Sequence, residues 1–203
     1  MNTLKAETTQ TKMGPILYLH GFNSGPGEKS IALAKEFPGT KIITPQMKDN
    51  NVLDNSLMLI DIVNSEKPKY IMGTSLGGFY ALYLSTIFKD CFFFIINPAF
   101  SPQESLKSLI GLNLENYVTG HQYQVSPNFI QELADLSAII RKNFDTECLL
   151  NCDFYIGKQD EVLEYTEFVA FLQSFKYPYK LRYTENDHRH GDISMVVGDL
   201  RGR

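Results

Sequence analysis

One short stretch of the sequence has the residue spacing of a catalytic serine. Gly73-Thr74-Ser75-Leu76-Gly77 matches the pattern G-x-S-x-G, in which the serine occupies a sharp turn between a strand and a helix. Small residues two positions before and after the serine let the helix pass close to the strand. The flanks fit, because Lys69–Met72 reads as a strand and Leu76–Phe88 as a helix. We therefore predict Ser75 as a nucleophile, the alternative being an ordinary serine in a glycine-rich turn.

The base that a serine nucleophile needs comes from a small set of histidines. The sequence contains four: His20, His121, His188 and His190. On scaffolds with this serine turn the chain order is nucleophile, acid, histidine, and His188 and His190 follow the last predicted strand. We predict His188 as the base and leave His190, in the same loop, open as the alternative.

An acid should orient this base from the loop after the preceding strand. The segment Gly157-Lys158-Gln159-Asp160-Glu161 is polar and follows the apolar run Phe154–Ile156. Asp160 is the predicted acid and Glu161 the reserve. The plainer interpretation of Asp160 is a helix N-cap, a role that a catalytic acid can also serve.

The loop after the first predicted strand, within Leu17–Ser24, is the expected source of an oxyanion-binding N–H group. We predict two donors, the backbone N–H of Phe22 (or Asn23) and that of Leu76, which follows the serine. His20 in the same loop is expected to be a structural hydrogen-bonding residue.

The same region also approaches a phosphate-binding sequence. Residues 21–30, GFNSGPGEKS, are close to the Walker A pattern, but Glu28 precedes Lys29 where the pattern requires glycine. A carboxylate at this position would repel phosphate. We therefore do not expect nucleotide binding.

The alternation of short apolar and longer amphipathic segments predicts an α/β fold with a mostly parallel sheet of about six strands. The predicted strands are Ile16–Leu19, Ile42–Thr44, Tyr70–Met72, Phe92–Ile96, Phe154–Ile156 and Leu181–Tyr183. The predicted helices are Glu28–Phe37, Asp54–Ser65, Leu76–Phe88, Pro127–Lys142, Val162–Ser174 and Ile193–Leu200. Several strands are continuous apolar runs, as expected for strands covered on both faces.

Residues 98–126 interrupt this alternation. The segment contains prolines, glycines and asparagines, and it has a short predicted helix but no predicted strand. Its position after the strand that follows the serine turn favours a lid, with a surface insertion as the alternative. Phe100, Tyr117 and Tyr123, together with Phe22, are candidate lining residues of a substrate pocket. Core packing is the other interpretation of each.

Composition excludes several other classes. The chain has 203 residues, 43% hydrophobic and 21% charged, and its net charge of −4 offers no basic excess for nucleic acid. The longest strongly apolar run, Cys91–Ile96, is far below the roughly 18 residues of a membrane helix. We expect a disordered tail over residues 1–13, a single domain over residues 14–203 and three reduced, mostly buried cysteines. We therefore expect a cytoplasmic protein. The predicted chemistry requires neither a metal nor a cofactor.

Several strings together resemble one known family. They are LYLHGFNSGP, GTSLGGFYA, INPAFSP, YVTGHQY and GKQDEVLEY, and they are similar to segments of the YqiA/YcfP-type bacterial α/β-hydrolase esterases. The resemblance implies a three-layer α/β/α α/β-hydrolase fold. Because the predicted oxyanion loop follows the first predicted strand, where it usually follows the third, we expect a reduced sheet without the starting antiparallel hairpin. The resemblance also implies short-chain ester hydrolysis with Ser75 as nucleophile, Asp160 as acid and His188 as base. Family members often have Phe two residues after this histidine, where the chain has His190.

Two other functions are compatible with the same residues. One is hydrolysis of acyl thioesters on the same scaffold, and the other is a hydrolase-fold protein that binds without catalysis. The expected partner is a small acyl-ester substrate. An exposed edge of an open sheet would also favour a homodimer.

Overall fold

The structure is a computed structural model, and it describes residues 13–203. The predicted tail over residues 1–13 therefore lies outside the described residues, apart from Met13. The strands of the described part are β1 (Ile16–Leu19), β2 (Ile42–Ile43), β3 (Tyr70–Thr74), β4 (Phe92–Ile96), β5 (Asn113–Glu115), β6 (Gln122–Gln124), β7 (Cys152–Gln159) and β8 (Lys180–Asp187). Its α-helices are α1 (Glu28–Glu36), α2 (Val52–Glu66), α3 (Leu76–Ser85), α4 (Pro102–Leu106), α5 (Pro127–Asn143), α6 (Thr146–Leu150), α7 (Thr166–Ser174) and α8 (Ser194–Arg201).

Six of the strands form one sheet in the order β2-β1-β3-β4-β7-β8. Every neighbouring pair in it is parallel, which confirms the predicted parallel sheet of six strands. All carboxyl ends therefore lie at one edge. From β1 the chain continues to β2 on one side and then to β3 on the other. The loops after β1 and β3 diverge at this point, and in open parallel sheets such a divergence leaves a crevice for ligands.

The sheet separates two hydrophobic cores. Successive strand residues point to opposite faces, so Leu17 and Leu19 pack in one core while Ile16 and Tyr18 pack in the other. The first core also contains buried residues of α2, α3, α5 and α7, and the second contains residues of α1 and α8. This arrangement is the predicted three-layer α/β/α architecture.

The interval 98–126 contains a β-hairpin that the sequence did not predict. Helix α4 and a 3-10 turn over Lys107–Leu109 are followed by β5 and β6, which pair antiparallel with Leu114 opposite Tyr123. The expectation of no strand here was wrong for a physical reason. Each strand is three residues long, and only its central residue is half-buried between two exposed ones, so neither strand contains an apolar run.

The predicted helices form with shifted ends, and α6 is a further short helix that was not predicted. Helix α2 begins at Val52 because the Asn51 side chain accepts a hydrogen bond from the N–H of Asp54 and caps the helix. Helix α7 begins at Thr166, four residues later than predicted, since a turn precedes it. Within residues 13–203, no helix combines the length and the apolar character needed to span a membrane.

Candidate active site

Ser75 lies on a strained turn between β3 and α3. Its backbone has φ 56° and ψ −120°, a left-handed region that non-glycine residues rarely adopt. The flanking glycines permit the close packing, because a Cβ atom on Gly73 would lie 2.2 Å from the carbonyl oxygen of Gly77. A Cβ atom on Gly77 would lie 2.1 Å from the carbonyl oxygen of Leu19. The turn thus holds the serine at the carboxyl edge of the sheet, as the sequence pattern predicts.

The pairing of β7 with β8 places Asp160 next to His188. Gln159 pairs with Asp187 at the end of this ladder, so the two residues that follow are neighbours. Between Gly157 and Gln159 the ladder is irregular, with three steps along β8 for two along β7. Such bulges redirect side chains next to active sites. Here the bulge lies directly before the acid and the histidine.

Three side chains form a chain of hydrogen bonds across the loops. The Nε2 atom of His188 lies 3.1 Å from Ser75 Oγ, and its Nδ1 atom lies 2.8 Å from Asp160 Oδ2. An ionised carboxylate only accepts hydrogen bonds, so Nδ1 carries the proton and Nε2 is free to accept from the serine. The arrangement can transfer the serine proton to the imidazole.

The Asp160 carboxylate is saturated with donors. Oδ1 accepts from the N–H groups of Val162 at 2.8 Å and Leu163 at 2.9 Å, and Oδ2 also accepts from the Tyr165 hydroxyl at 2.5 Å. Burial alone would raise the pKa of Asp160, but the hydrogen bonds, Tyr165 first among them, outweigh burial and lower it. Burial and the bond to Asp160 raise the pKa of Tyr165. The phenol therefore stays protonated and keeps donating to the carboxylate.

The loop after β1 contains one predicted oxyanion donor, Phe22, and the other, Leu76, is the first residue of α3. Within residues 13–203, neither the Phe22 N–H nor the Leu76 N–H donates to a protein acceptor. Both residues line a small cavity of about 10 Å³, roughly the space of one small polar group. His20 connects this loop to the segment at Met47. Its Nδ1 atom lies 2.9 Å from the Gly21 carbonyl oxygen, and its Nε2 atom accepts a hydrogen bond from the Met47 N–H at 3.2 Å.

The β5–β6 hairpin is attached to this loop. The Tyr123 hydroxyl donates to the Asn23 side chain at 3.1 Å, and the Tyr117 N–H donates to the Asn23 carbonyl oxygen at 3.3 Å. The Asn116 side chain donates to the Ser24 carbonyl oxygen at 2.9 Å. Asn23 itself is buried with φ 54°. The hairpin and the loop therefore form one hydrogen-bonded unit.

The three aromatic residues proposed for a pocket lie in different surroundings. Phe100 is buried and packs on Phe168 and Phe171 at ring-centroid distances of 5.3 and 4.9 Å. Tyr117 is 86% exposed on the hairpin. Tyr123 packs edge-on against Phe22 at 6.4 Å. Of the three rings, that of Tyr123 packs against the ring of Phe22, a predicted oxyanion residue.

His188 and His190 have opposite surroundings. His190 is fully buried with φ 49°, and neither ring nitrogen has a hydrogen-bond partner among the described residues. Burial, together with the nearby Lys29, lowers the pKa of His190 to about 4. His121 lies on the hairpin, with Nδ1 3.2 Å from Asp49 Oδ2. Of the histidines, it is His188 that contacts Ser75.

Two residues of this site were missed by the sequence analysis. Tyr165 lies five positions after Asp160, at the end of the string GKQDEVLEY, and this proximity to the acid was an available signal. Asn97 lies in the string INPAFSP, and its side chain donates to the backbone carbonyl oxygens of Asp187 and His188. These partners are 90 and 91 positions away in the chain, so no local pattern indicates the contacts. In the part of the chain that the structure describes, no cluster of three or more His, Cys, Asp or Glu side chains is arranged to hold a metal.

A parallel sheet covered by helices on both faces, with a serine on a tight strand–helix turn, defines the α/β-hydrolase fold. The chain belongs to the Uncharacterised protein family (UPF0227), whose sequence profile matches residues 15–200. This membership confirms the resemblance drawn from the sequence strings.

Three solved structures share the fold. Est1E from Butyrivibrio proteoclasticus superposes with a TM-score of 0.65 at 15% identity, over 96% of this chain and 88% of that one. The monoacylglycerol lipase of Paleococcus ferrophilus gives 0.64 at 16% identity, over 94% and 96%. A structure from work on the metagenome-derived lipolytic enzymes LipS and LipT gives 0.65 at 18% identity, over 95% and 96%. At these identities the likeness concerns the fold.

Proposed function

We propose that this protein is a serine hydrolase that cleaves small, short-chain acyl esters. The observation that carries the proposal is the hydrogen-bonded series Ser75–His188–Asp160, with 3.1 Å and 2.8 Å between the joined atoms. Each role fits its surroundings, since the serine is held on a strained turn and the acid is buried and saturated with donors. The membership of an α/β-hydrolase family supports the same chemistry.

The proposed reaction proceeds through an acyl-enzyme. Ser75 Oγ attacks the ester carbonyl carbon while His188 Nε2 takes the serine proton, and Asp160 stabilises the imidazolium that forms. The N–H groups of Phe22 and Leu76 hold the developing oxyanion. His188 then gives its proton to the leaving alcohol. Water attacks the acyl-enzyme by the same route and releases the acid, and no metal or cofactor takes part.

The surroundings of the oxyanion loop support a small substrate. Phe22 is enclosed by Tyr123 at 6.4 Å and by Phe129 at 6.2 Å, measured between ring centroids. The hairpin that supplies Tyr123 is hydrogen-bonded to the same loop. We propose that residues 98–126, which include this hairpin, form a lid over the site. Because the hairpin is bonded to the oxyanion loop, the lid stays in place, so that short acyl groups fit beneath it and long chains do not.

The test is a p-nitrophenyl ester series of increasing acyl length on the wild type and on Ser75→Ala. We expect highest kcat/KM on the shortest esters and a loss of three or more orders of magnitude in kcat for the variant. His188→Asn should lose activity to a similar extent, and the double variant should be no worse than either single one. The control is Ser105→Ala, which removes an exposed serine on α4 and should leave kcat unchanged.

Two results would separate the alternatives. Faster turnover of matched thioesters than of oxyesters would assign the site to acyl-thioester hydrolysis. Hydrolysis by Ser75→Ala at the wild-type rate would refute the proposed nucleophile, and complete inactivity of the wild type would favour a binding protein.

A further inference from the structure

The segment that follows β4 contacts the loop of every triad residue. The Ser75 N–H donates to the Ile96 carbonyl oxygen at 3.0 Å, and the Ala99 N–H donates to the Ser75 carbonyl oxygen at 3.1 Å. The ladder explains why, because Thr74 pairs with Ile96 and the next residues of both strands are neighbours. The serine turn is thus bonded on both sides to one short stretch of chain, residues 96–99.

Asn97, at the centre of this stretch, extends the same connection to the other two loops. Its Nδ2 donates to the carbonyl oxygens of Asp187 at 3.0 Å and His188 at 3.1 Å. Its Oδ1 accepts from the N–H of Gly157 at 2.7 Å, and its own N–H donates to Tyr155 at 2.8 Å. The residue is fully buried, so all these bonds are shielded from water.

We propose that Asn97 is a positioning residue that holds the His188 loop and the Asp160 loop in register with Ser75. This inference rests on the proposed function, since it concerns the alignment of the same three side chains. Gly157 in turn accepts from the Asp160 N–H at 3.2 Å. One carboxamide therefore fixes the backbone of the histidine directly and that of the acid through one intervening bond.

The chemistry of the position selects asparagine. The two N–H bonds of the carboxamide reach two carbonyl oxygens, those of Asp187 and His188, while its oxygen accepts from the Gly157 amide, and a side-chain amide supplies both donors and acceptor. The backbone has φ 43°, which asparagine, aspartate and glycine tolerate better than other residues. A buried group with this many partners is costly to replace and holds its neighbours firmly.

Two substitutions separate positioning from folding. Asn97→Gly suits the left-handed backbone and removes every side-chain bond, whereas Asn97→Asp keeps the shape and the acceptor but replaces the donor with an oxygen that faces two carbonyls. The matched control is Asn151→Ala, because the Asn151 side chain also donates to a backbone carbonyl, that of Lys89 at 2.8 Å. Asn151 directly precedes β7, so it lies at the opposite edge of the sheet.

Because misplacement of a catalytic group by about 1 Å can cost roughly 100-fold in rate, we expect both Asn97 variants to lose about 10-fold to 100-fold in kcat on the shortest ester. KM should change less than about threefold, because the groups that bind the ester are untouched. Crystal structures of the wild type and the variants should show the His188–Ser75 contact broken in both variants. Asn151→Ala should keep wild-type kcat and the contact.

Each outcome bears on the inference. Wild-type kcat in Asn97→Asp, or an intact His188–Ser75 contact in Asn97→Gly, would overturn it. Failure of both variants to fold would also overturn it, since Asn97 would then be a residue of general stability. The contact is measured in the crystal whether or not the wild type cleaves esters, so failure of the proposed function would be recognised separately.

Discussion

The Asp160 side chain illustrates how much a single residue can combine. The sequence left two interpretations of it, a helix N-cap or a catalytic acid. The helix N-cap interpretation was wrong, because α7 begins only at Thr166 and has Tyr165 at its N-cap position. One oxygen accepts from two N–H groups of the following turn, and the other faces His188 and Tyr165. Because both oxygens are held, the carboxylate cannot rotate away from the imidazole. Two of these donors are side chains, and Tyr165 is the one that a substitution can remove while His188 stays in place.

Tyr165→Phe should raise the pKa of Asp160, because the substitution removes the Tyr165 hydrogen bond, which lowers this pKa more than any other hydrogen bond does. A carboxyl group with a lowered pKa stabilises the fold above its unfolded pKa of about 4 and loses that contribution as the pH falls through the folded value. In the variant, the stabilising contribution of Asp160 should therefore begin to decrease at a higher pH. We expect kcat/KM to fall about 3-fold to 10-fold at neutral pH and acid inactivation to shift upward, measured as a pH profile.

The control for this substitution is Tyr177→Phe, which alters a tyrosine that is 45% exposed. Its pH profile should coincide with that of the wild type. An unchanged acid limb in Tyr165→Phe, or an equal change in Tyr177→Phe, would show that the phenol does not tune the acid.

At the scale of elements, helix α2 shows where local patterns mislead. The sequence placed its start at Asp54, an N-cap type of residue, yet the helix begins two residues earlier. Asn51 provides the cap, with Oδ1 accepting from the Asp54 N–H at 2.7 Å. Asp54 is instead a first-turn residue that pairs with Lys48 on the surface. Both side chains stabilise the helix start, but by different means.

Asn51→Ala should lower the free energy of unfolding by about 1 kcal/mol, the usual value of an N-cap. Asp54→Ala removes only an exposed ion pair and a favourable charge at the helix start, so we expect a loss of about 0.5 kcal/mol. Urea titrations of both variants measure the two values. A larger loss in Asp54→Ala would reverse the assignment of the cap.

The predictability of each element follows its burial. Strands β1 and β4 were predicted with the observed limits, because both are continuous apolar runs. The hairpin escaped prediction since its strands are short and polar. In the candidate site, the G-x-S-x-G spacing predicted Ser75, and chain order predicted Asp160 and the histidine loop, and the structure brings these residues together. The bonds of Asn97 join residues 60 and 90 positions apart, and no local pattern contains such information.

For the molecule as a whole, His190 links stability to pH. It lies between charged groups from several elements: Lys29 of α1, Asp160 of the acid loop, and Asp187 and Asp192 of its own loop. Burial and Lys29 lower its pKa from 6.5 to about 4, against the three carboxylates. Between pH 6.5 and about 4, His190 therefore binds a proton in the unfolded chain but not in the folded one. Stability is complete above the unfolded pKa and is lost as the pH falls toward 4.

His190→Asn should flatten the pH dependence of the unfolding free energy between pH 6.5 and about 4, by up to about 3 kcal/mol. Asparagine tolerates the left-handed backbone at this position. Urea titrations across this range measure the slope. An equal flattening in His121→Asn, which removes an exposed histidine, would contradict the assignment to His190.

The single domain, the homodimer and the cytoplasmic location stay predictions. The architecture itself is settled, with six parallel strands and a core on either face. The loop after the first strand of the described residues already holds a predicted oxyanion donor, as expected for a sheet without the starting hairpin.

Among residues 13–203, strand β8 is the last strand of the sheet and pairs with β7 alone, and most of its residues are exposed or half-buried. It nevertheless ends one residue before His188. Edge elements open more easily than central ones, without unfolding of the rest of the molecule. Each opening of β8 would separate the His188 imidazole from Ser75 while both hydrophobic cores stay intact. For the proposed hydrolase, we therefore expect the fraction of active molecules to depend on the opening equilibrium of this strand, so that heat or denaturant abolishes activity before the rest of the fold unfolds.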